Sequence, residues 1–215
     1  MNKKTNTEYS KYFVIVLALS VASILISNVT SIKIFNLGKI VLPASALLFP
    51  ITYIMGDVIA EVYGFKKAKL VIFIGFLCNA FMVLYFQIAI KLPSANTWKL
   101  QESFEAILST TPRMFIASLS AYLIGSLSNA YIMQVIKKIT KGKHLWIRTI
   151  GSTIVGEFLD TIIFSTIAFV GNIPFNVLVT MMVCQFLWKV LYETISTPVT
   201  YYVIKKFKTI ENYND

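Results

Sequence analysis

The sequence predicts an all-α integral membrane protein, with six transmembrane helices arranged as two inverted three-helix halves. Of the 215 residues, 56% are hydrophobic and only 14% are charged, whereas soluble domains carry about 25% charged residues. Six apolar segments are each close to the roughly 20 residues needed to cross a hydrocarbon core. The basic residues, which give a net charge of +10, lie in short clusters between these segments. That distribution is typical of loop charges that fix topology, and not of a basic face that binds nucleic acid.

The six predicted helices form a single transmembrane domain over residues 1–215. They run over 12–34, 43–63, 69–90, 113–136, 149–170 and 175–203. Tight connections that begin with glycine are expected at 64–67 and 171–174. The longest link, 91–112, predicts an interfacial turn or a short amphipathic helix. The first apolar segment is too long for a cleavable signal peptide.

Basic residues are distributed unequally between the two sets of loops, and this predicts the orientation. With a cytoplasmic N-terminus, the inner set holds 14 of them: Lys3, Lys4, Lys11, Lys66, Lys67, Lys69, Lys137, Lys138, Lys141, Lys143, Arg148, Lys205, Lys206 and Lys208. The outer set holds five: Lys33, Lys39, Lys91, Lys99 and Arg113. Because cytoplasmic loops carry the excess of Lys and Arg, both termini are expected in the cytoplasm, in a multi-pass protein of the plasma (inner) membrane.

Five of the ten acidic residues fall inside the predicted helices, together with one base. They are Asp57, Glu61, Glu157, Asp160 and Glu193, with Lys189 as the base. A charge at bilayer depth costs about 3 kcal/mol or more, so such residues usually face a bundle interior or a water-filled cavity. They commonly mark the path of a substrate or an ion, which favours a transporter with a polar centre. The sequence has no Walker motif, so the chain is not expected to hydrolyse ATP by itself.

The second and fifth predicted helices carry a matching acidic pattern. Gly56-Asp57 is followed by Glu61, and Gly156-Glu157 is followed by Asp160. Spacings of three or four residues place both carboxylates of a pair on one helix face. Each of the two helices is the middle one of three, and an odd number of crossings inverts the second half. Inverted repeats place their site near the midplane, unless the two short patterns coincide by chance.

The candidate substrate-binding residues are polar side chains that we expect to line one cavity. They are Asp57, Glu61, Glu157, Asp160, Gln185, Lys189 and Asn28. Gln185, Lys189 and Glu193 recur at four-residue spacing on one helix face, and an internal Lys–Glu pair without a ligand is the alternative interpretation. Pro43, Pro50 and Pro198 are expected to interrupt helices, which a membrane tolerates only where the freed backbone faces protein or water.

No catalytic residue, metal site or cofactor is predicted. His144 is the only histidine, and Cys78 and Cys184 lie in apolar segments, where cysteine usually acts as a small packing residue. The expected partners are a small-molecule substrate and the lipid bilayer, with no nucleic acid. A homodimer is compatible with so small a bundle.

Two long segments carry a resemblance to a known family. They are FPITYIMGDVIAEVYG at 49–64 and RTIGSTIVGEFLD at 148–160, the second followed by IAFVG at 167–171. With these segments the chain resembles the queuosine precursor transporter family, formerly grouped as vitamin-uptake proteins, over nearly its whole length. The resemblance implies import of 7-deazaguanine precursors of queuosine (preQ0, preQ1 or queuine), which are used to modify tRNA. Members differ in the precursor they carry, and the sequence does not select among them.

The chemistry of such a ligand agrees with an acidic cavity. A guanine-like edge presents an N1–H and an exocyclic amine side by side, and a carboxylate accepts two parallel hydrogen bonds from that pair. Lys189, Gln185 or an asparagine can donate to the carbonyl, and aromatic rings can stack on the flat base. A cationic aminomethyl group, present in some precursors, favours a second carboxylate. A proton path uses the same residue types, so the energy source stays open.

Two other classes of function remain as alternatives. The first is a substrate-binding subunit of an energy-coupling-factor vitamin transporter, for which Ala18 and Ala22 could form a small-residue docking face. The second and more remote alternative is an intramembrane aspartyl hydrolase, with Asp57 and Asp160 sharing a proton. The segment Ile54-Met55-Gly56-Asp57 lacks the Gly-x-Gly-Asp pattern of such proteases, so no enzyme is predicted.

Overall fold

A computed structural model of the chain describes residues 9–31, 33–37, 40–109, 112–171 and 174–211. The helices in this part are α1 (Lys11–Thr30), α2 (Phe49–Val58), α3 (Gly64–Lys91), α4 (Gln101–Leu108), α5 (Pro112–Ile139), α6 (Leu145–Phe169) and α7 (Phe175–Ile210). Two strands, β1 (Ile34–Leu37) and β2 (Ile40–Pro43), form an antiparallel hairpin. Lys3, Lys4 and Lys39 of the orientation prediction, and 172–173 of the second tight connection, lie outside the described residues.

Five stretches of the described chain are long and apolar enough to cross a membrane. They are Lys11–Thr30, Ile51–Lys91, Gln101–Ile139, Leu145–Phe169 and Phe175–Ile210. The predicted class of helical membrane protein is therefore confirmed, but six spans and the inverted layout are not. Helix α2 has 10 residues and its π-helical extension, Ile59–Tyr63, has five. At about 1.5 Å per residue this segment is shorter than the roughly 30 Å hydrocarbon core.

The hairpin corrects the predicted boundaries of the first two helices. Helix α1 begins after Ser10, whose side chain accepts a hydrogen bond from the amide of Phe13, and it ends at Thr30 rather than at residue 34. The chain then pairs Ile34 with Pro43 and Leu37 with Ile40. Isoleucine and valine at 34, 40 and 41 favour this extended backbone.

The prediction that Pro50 interrupts a helix is wrong. Helix α2 begins at Phe49, not at 43, and places Pro50 in its first turn. There the missing amide hydrogen would have had no intrahelical acceptor. Pro43 lies at the end of β2 and so outside any helix.

A π-helical segment, Ile59–Tyr63, continues α2 and ends at Gly64. Gly64 has φ +80°, a conformation that glycine adopts without a Cβ clash, so the chain turns there into α3. The predicted loop at 64–67 is thus the first turn of α3. Two side chains of α5 bond to carbonyls of the segment: Gln134 donates to Ala60, and Lys137 Nζ donates to Glu61 at 3.1 Å. These bonds support a helix form that is otherwise rare and short.

Helices α5 and α6 cross closely because glycines face each other at the contact. A Cβ on Gly125 would lie 2.8 Å from the Cβ of Asp160, and one on Gly156 would lie 2.7 Å from the Cβ of Asn129. Small residues let helix backbones approach in a membrane, where van der Waals packing drives association. This crossing fixes the position of the acidic side chains of α6 against α5.

Helix α7 runs for 36 residues and continues through Pro198, so the prediction that this proline interrupts the helix is also wrong. The buried apolar cluster joins α1, α2, the π-helical segment, α3, α5 and the last turns of α7. Its members include Phe13, Val16, Val58, Ile59, Val71, Met133 and Ile204. Many other large apolar side chains, such as Phe81 and Phe175, are exposed, as expected for a surface in contact with lipid.

Candidate functional site

A cavity of about 600 Å³ lies between α1, α2, α3, α5, α6 and α7. We call it the central cavity. Five predicted site residues line it: Asn28, Glu157, Asp160, Gln185 and Lys189. Its volume is within the range of about 300–1,000 Å³ that is usual for small-molecule sites. Its wall is mainly apolar with a few polar groups, which is typical of a pocket that orients a flat organic ligand.

The charged part of the wall is the α6 acidic pair, Glu157 and Asp160, together with Lys189 of α7. Lys189 Nζ lies 2.7 Å from Glu157 Oε2 and 2.5 Å from Asp160 Oδ2. One turn of α6 separates the two carboxylates, so a single ammonium can contact both. Two carboxylates and one ammonium leave a net charge of −1. The pair therefore has acceptor capacity left for a ligand that donates hydrogen bonds.

Two further polar groups of the cavity were not among the predicted site residues. The Tyr53 side chain of α2 hydrogen-bonds to Glu157. Asn129 of α5 borders the cavity, and its Oδ1 is buried without a hydrogen-bond partner among the described residues. An unsatisfied buried acceptor costs about 1–3 kcal/mol, so a ligand donor there would be favourable. The sequence signal for Asn129 was its place in a polar stretch of an apolar helix.

Asn28 and Gln185 border the cavity from α1 and α7. Asn28 Nδ2 donates to Asn79 Oδ1 of α3 at 2.7 Å, and Asn79 is 3% exposed. This bond fixes the orientation of the Asn28 amide, because its nitrogen points to α3. The amide oxygen of Asn28 and its second N–H can then bond to a ligand in the cavity.

Asp57 is not among the residues that line the central cavity. It is 2% exposed, and its carboxyl group lies next to that of the fully buried Glu193. The two carboxyl groups share a side-chain hydrogen bond, which requires that one of them carries a proton. Glu193 therefore bonds to Asp57, whereas the ion pairs of Lys189 are with the carboxylates of α6.

Glu61 also lies outside the lining of the central cavity, within a cluster of cations. Its Oε1 lies 3.0 Å from Lys137 Nζ, 3.1 Å from Arg148 Nη2 and 3.0 Å from Lys208 Nζ, and its side chain is fully buried. We call these four residues the Glu61 cluster. Sequence spacing suggested that Asp57 and Glu61 share one face, but the π-helical segment that holds Glu61 changes the helical period between them.

Comparison with known proteins agrees with a membrane transporter. Residues 43–203 match the family model described as "Putative vitamin uptake transporter". A curated protein of Bacillus subtilis (strain 168), named "Probable queuosine precursor transporter", is 26% identical over 176 residues, which cover 81% of this chain and 77% of that protein. No solved structure matches the chain. The family match spans both acidic patterns and the whole of α6.

Proposed function

The chain belongs to the vitamin uptake transporter family, and from that membership we propose that it imports 7-deazaguanine precursors of queuosine. The family and the curated relative are transporters and not enzymes, so the chain is a membrane transporter of this class. The substrate of the proposal follows the name of the relative and the chemistry of the central cavity.

The observation that carries the proposal is the α6 acidic pair on the wall of the central cavity. A 7-deazaguanine base presents N1–H and a 2-amino group as parallel donors, and one carboxylate can accept both. The second carboxylate can keep Lys189, which is then free to turn one of its N–H bonds towards the carbonyl of the base. In this arrangement the ligand replaces Lys189 at one carboxylate, whose oxygens then accept the two hydrogen bonds of the base.

The apolar wall suits the flat faces of the base. Tyr122, Phe164 and Trp188 line the cavity from three different helices. Aromatic rings stack on or edge against a planar ligand with contacts worth about 0.5–1.5 kcal/mol beyond area burial. For a precursor with an aminomethyl cation, the carboxylate not used by the base edge provides a counter-charge. PreQ0, preQ1 and queuine all fit this donor and acceptor pattern.

The layout of the chain in the membrane is part of the same proposal. The Gly-acid patterns at Gly56-Asp57 and Gly156-Glu157 support two inverted halves, with α2 and α6 as corresponding helices. The 14-to-five distribution of basic residues supports cytoplasmic termini. A homodimer is consistent with this layout and is not required by the site.

Restoration of queuosine in tRNA tests the proposal. The full chain is expressed in a host that lacks its own precursor synthesis and transport, and each candidate precursor is supplied separately. We expect queuosine to appear with at least one precursor, and repeating the assay without a proton gradient separates coupled transport from facilitated diffusion. Unmodified tRNA with every precursor, despite normal membrane expression, would contradict the proposal. Co-purification with ATPase subunits would instead favour the energy-coupling-factor alternative.

A further inference from the structure

A second cavity lies where α6 begins and α7 ends. It has a volume of about 510 Å³, and we call it the basal cleft. Its polar wall includes His144, Arg148, Tyr201, Lys205 and Lys208. None of the residues that line the central cavity contributes to it, so its role is independent of the proposed substrate.

The basal cleft has an excess of positive charge. Arg148 and Lys208 line it and, with Lys137, surround the single carboxylate of Glu61 at 3.0–3.1 Å. Lys205 adds a third base to the lining, which includes no acidic residue of the described chain. A cleft lined by bases attracts an anion.

Arg148 has hydrogen-bond donors that an anion in the cleft could bind. It is 2% exposed, and only its Nη2 approaches Glu61. Its Nε and Nη1 are buried and have no hydrogen-bond partner among the described residues. Buried donors are almost always satisfied, and guanidinium N–H groups match the oxygens of phosphate well.

Neutral donors lie beside Arg148 at the same wall. The Tyr201 hydroxyl oxygen accepts the amide hydrogen of Trp146 at 2.8 Å, which leaves the hydroxyl hydrogen for another acceptor. Helix α6 begins at Leu145 and its N-cap residue, His144, makes no side-chain capping bond. Because His144 and Leu145 line the cleft, the positive end of the helix dipole lies beside it, where it favours an anion.

We propose that the basal cleft binds a phosphate group, through Arg148, Lys208, Lys205 and Tyr201 at the first turn of α6. A tetrahedral group with several acceptor oxygens can use donors from several directions at once, which a single planar carboxylate cannot. The phosphate belongs either to the headgroup of an anionic lipid or to a soluble phosphate compound. Its oxygens satisfy Arg148, and its negative charge matches the three bases that line the cleft.

The test uses the full chain purified in neutral detergent, with inorganic phosphate titrated at constant ionic strength against chloride. A parallel arm uses nanodiscs of phosphatidylcholine with or without phosphatidylglycerol. We expect the thermal unfolding midpoint to rise in at least one arm. Arg148→Gln should weaken that binding at least tenfold, and Lys205→Gln and Tyr201→Phe about threefold each. Lys138→Gln removes an exposed base of α5 that does not line the cleft, so it should bind as the native chain does.

The arms separate the sources of the phosphate. A response to inorganic phosphate alone indicates a soluble compound, and a response to phosphatidylglycerol alone indicates a lipid headgroup. Because Arg148→Gln disturbs the Glu61 cluster and can fail to fold, the other two variants decide in that case. The proposal is overturned if the native chain responds in neither arm, or if Lys205→Gln and Tyr201→Phe both respond as Lys138→Gln does.

Discussion

The acidic residues of α6 and those of the α2 region lie in opposite electrostatic surroundings. Glu157 and Asp160 share one ammonium and border a cavity. Glu61 has three cations on one oxygen and is fully buried, away from that cavity's lining. A carboxylate that shares one cation with a second carboxylate can still accept hydrogen bonds from a ligand. A carboxylate that contacts cations from three helices instead holds those helices together. The same residue type in a matching sequence pattern thus suggests recognition in α6 and a structural role in the π-helical segment.

We expect the Glu61 cluster to face the cytoplasm, and the labelling that tests this should show the largest effect of the changes we predict. Lys141 follows α5 near the start of α6, where basic residues predict the cytoplasm. In a Cys78→Ala, Cys184→Ala background, Lys141→Cys should resist an impermeant external thiol reagent in intact cells and react after permeabilisation. Lys99→Cys, in the exposed link before α4, should react in intact cells. External labelling of Lys141→Cys would invert the orientation.

Neutralising Glu61 should cause the largest loss of stability. Glu61→Gln removes the carboxylate that Lys137, Arg148 and Lys208 share, and breaking a buried ion pair in this way costs about 3–5 kcal/mol. We expect a markedly lower unfolding midpoint in detergent or loss of folded protein. Glu102→Gln, on the exposed face of α4, is the matched control and should change little. Equal midpoints for the two variants would contradict the structural role of Glu61.

Neutralising Glu157 should reduce transport more than stability. In Glu157→Gln, Asp160 still pairs with Lys189, so no buried cation is left alone. A lost charge-assisted hydrogen bond to substrate is worth about 1.5–3 kcal/mol, or roughly 10- to 100-fold in uptake at low substrate concentration. The measurement compares initial uptake with that of Glu105→Gln on α4, at matched expression and unfolding midpoint. If Glu157→Gln transports as Glu105→Gln does, Glu157 does not recognise the base.

Asp57→Asn should have the smallest effect of the three neutralisations. Asp57 lies next to Glu193 and not on the lining of the central cavity. An asparagine amide can donate to Glu193 in place of the hydrogen bond that the two carboxyl groups share. We expect stability to be unchanged or slightly higher and uptake to fall less than in Glu157→Gln. A larger loss of uptake in Asp57→Asn, at equal stability, would move the recognition site towards α2.

The α6 and α7 side of the site could be predicted from sequence because its geometry is local. Glu157 and Asp160 are one turn apart in a regular helix, and Gln185 and Lys189 share a face of α7, so helical periodicity places them. The ionic partners of Lys189 still required the structure, since its four-residue spacing to Glu193 left an internal Lys–Glu pair as an alternative. The contacts between α6 and α7 depend on packing that no short pattern encodes.

The α2 side could not be predicted, for two physical reasons. The π-helical segment changes the helical period between Asp57 and Glu61, and no composition signal marks so rare a form. The cations of Glu61 come from α5, α6 and α7, and are distant in sequence. The hairpin after α1 was missed because a run of apolar residues can form a helix or a strand alike.

The most direct test of the central claim uses the edge of the base itself. Competition with labelled precursor uptake compares 7-deazaguanine with 7-deazahypoxanthine, which lacks the 2-amino group. In the native chain, the concentration of 7-deazahypoxanthine that halves uptake should be at least about tenfold higher than that of 7-deazaguanine, since one charge-assisted bond is lost. The ratio of these two concentrations should fall towards one in the variant, Glu157→Gln or Asp160→Asn, that removes the carboxylate accepting from the amine. An unchanged ratio in both variants would contradict recognition of the base by the α6 acidic pair.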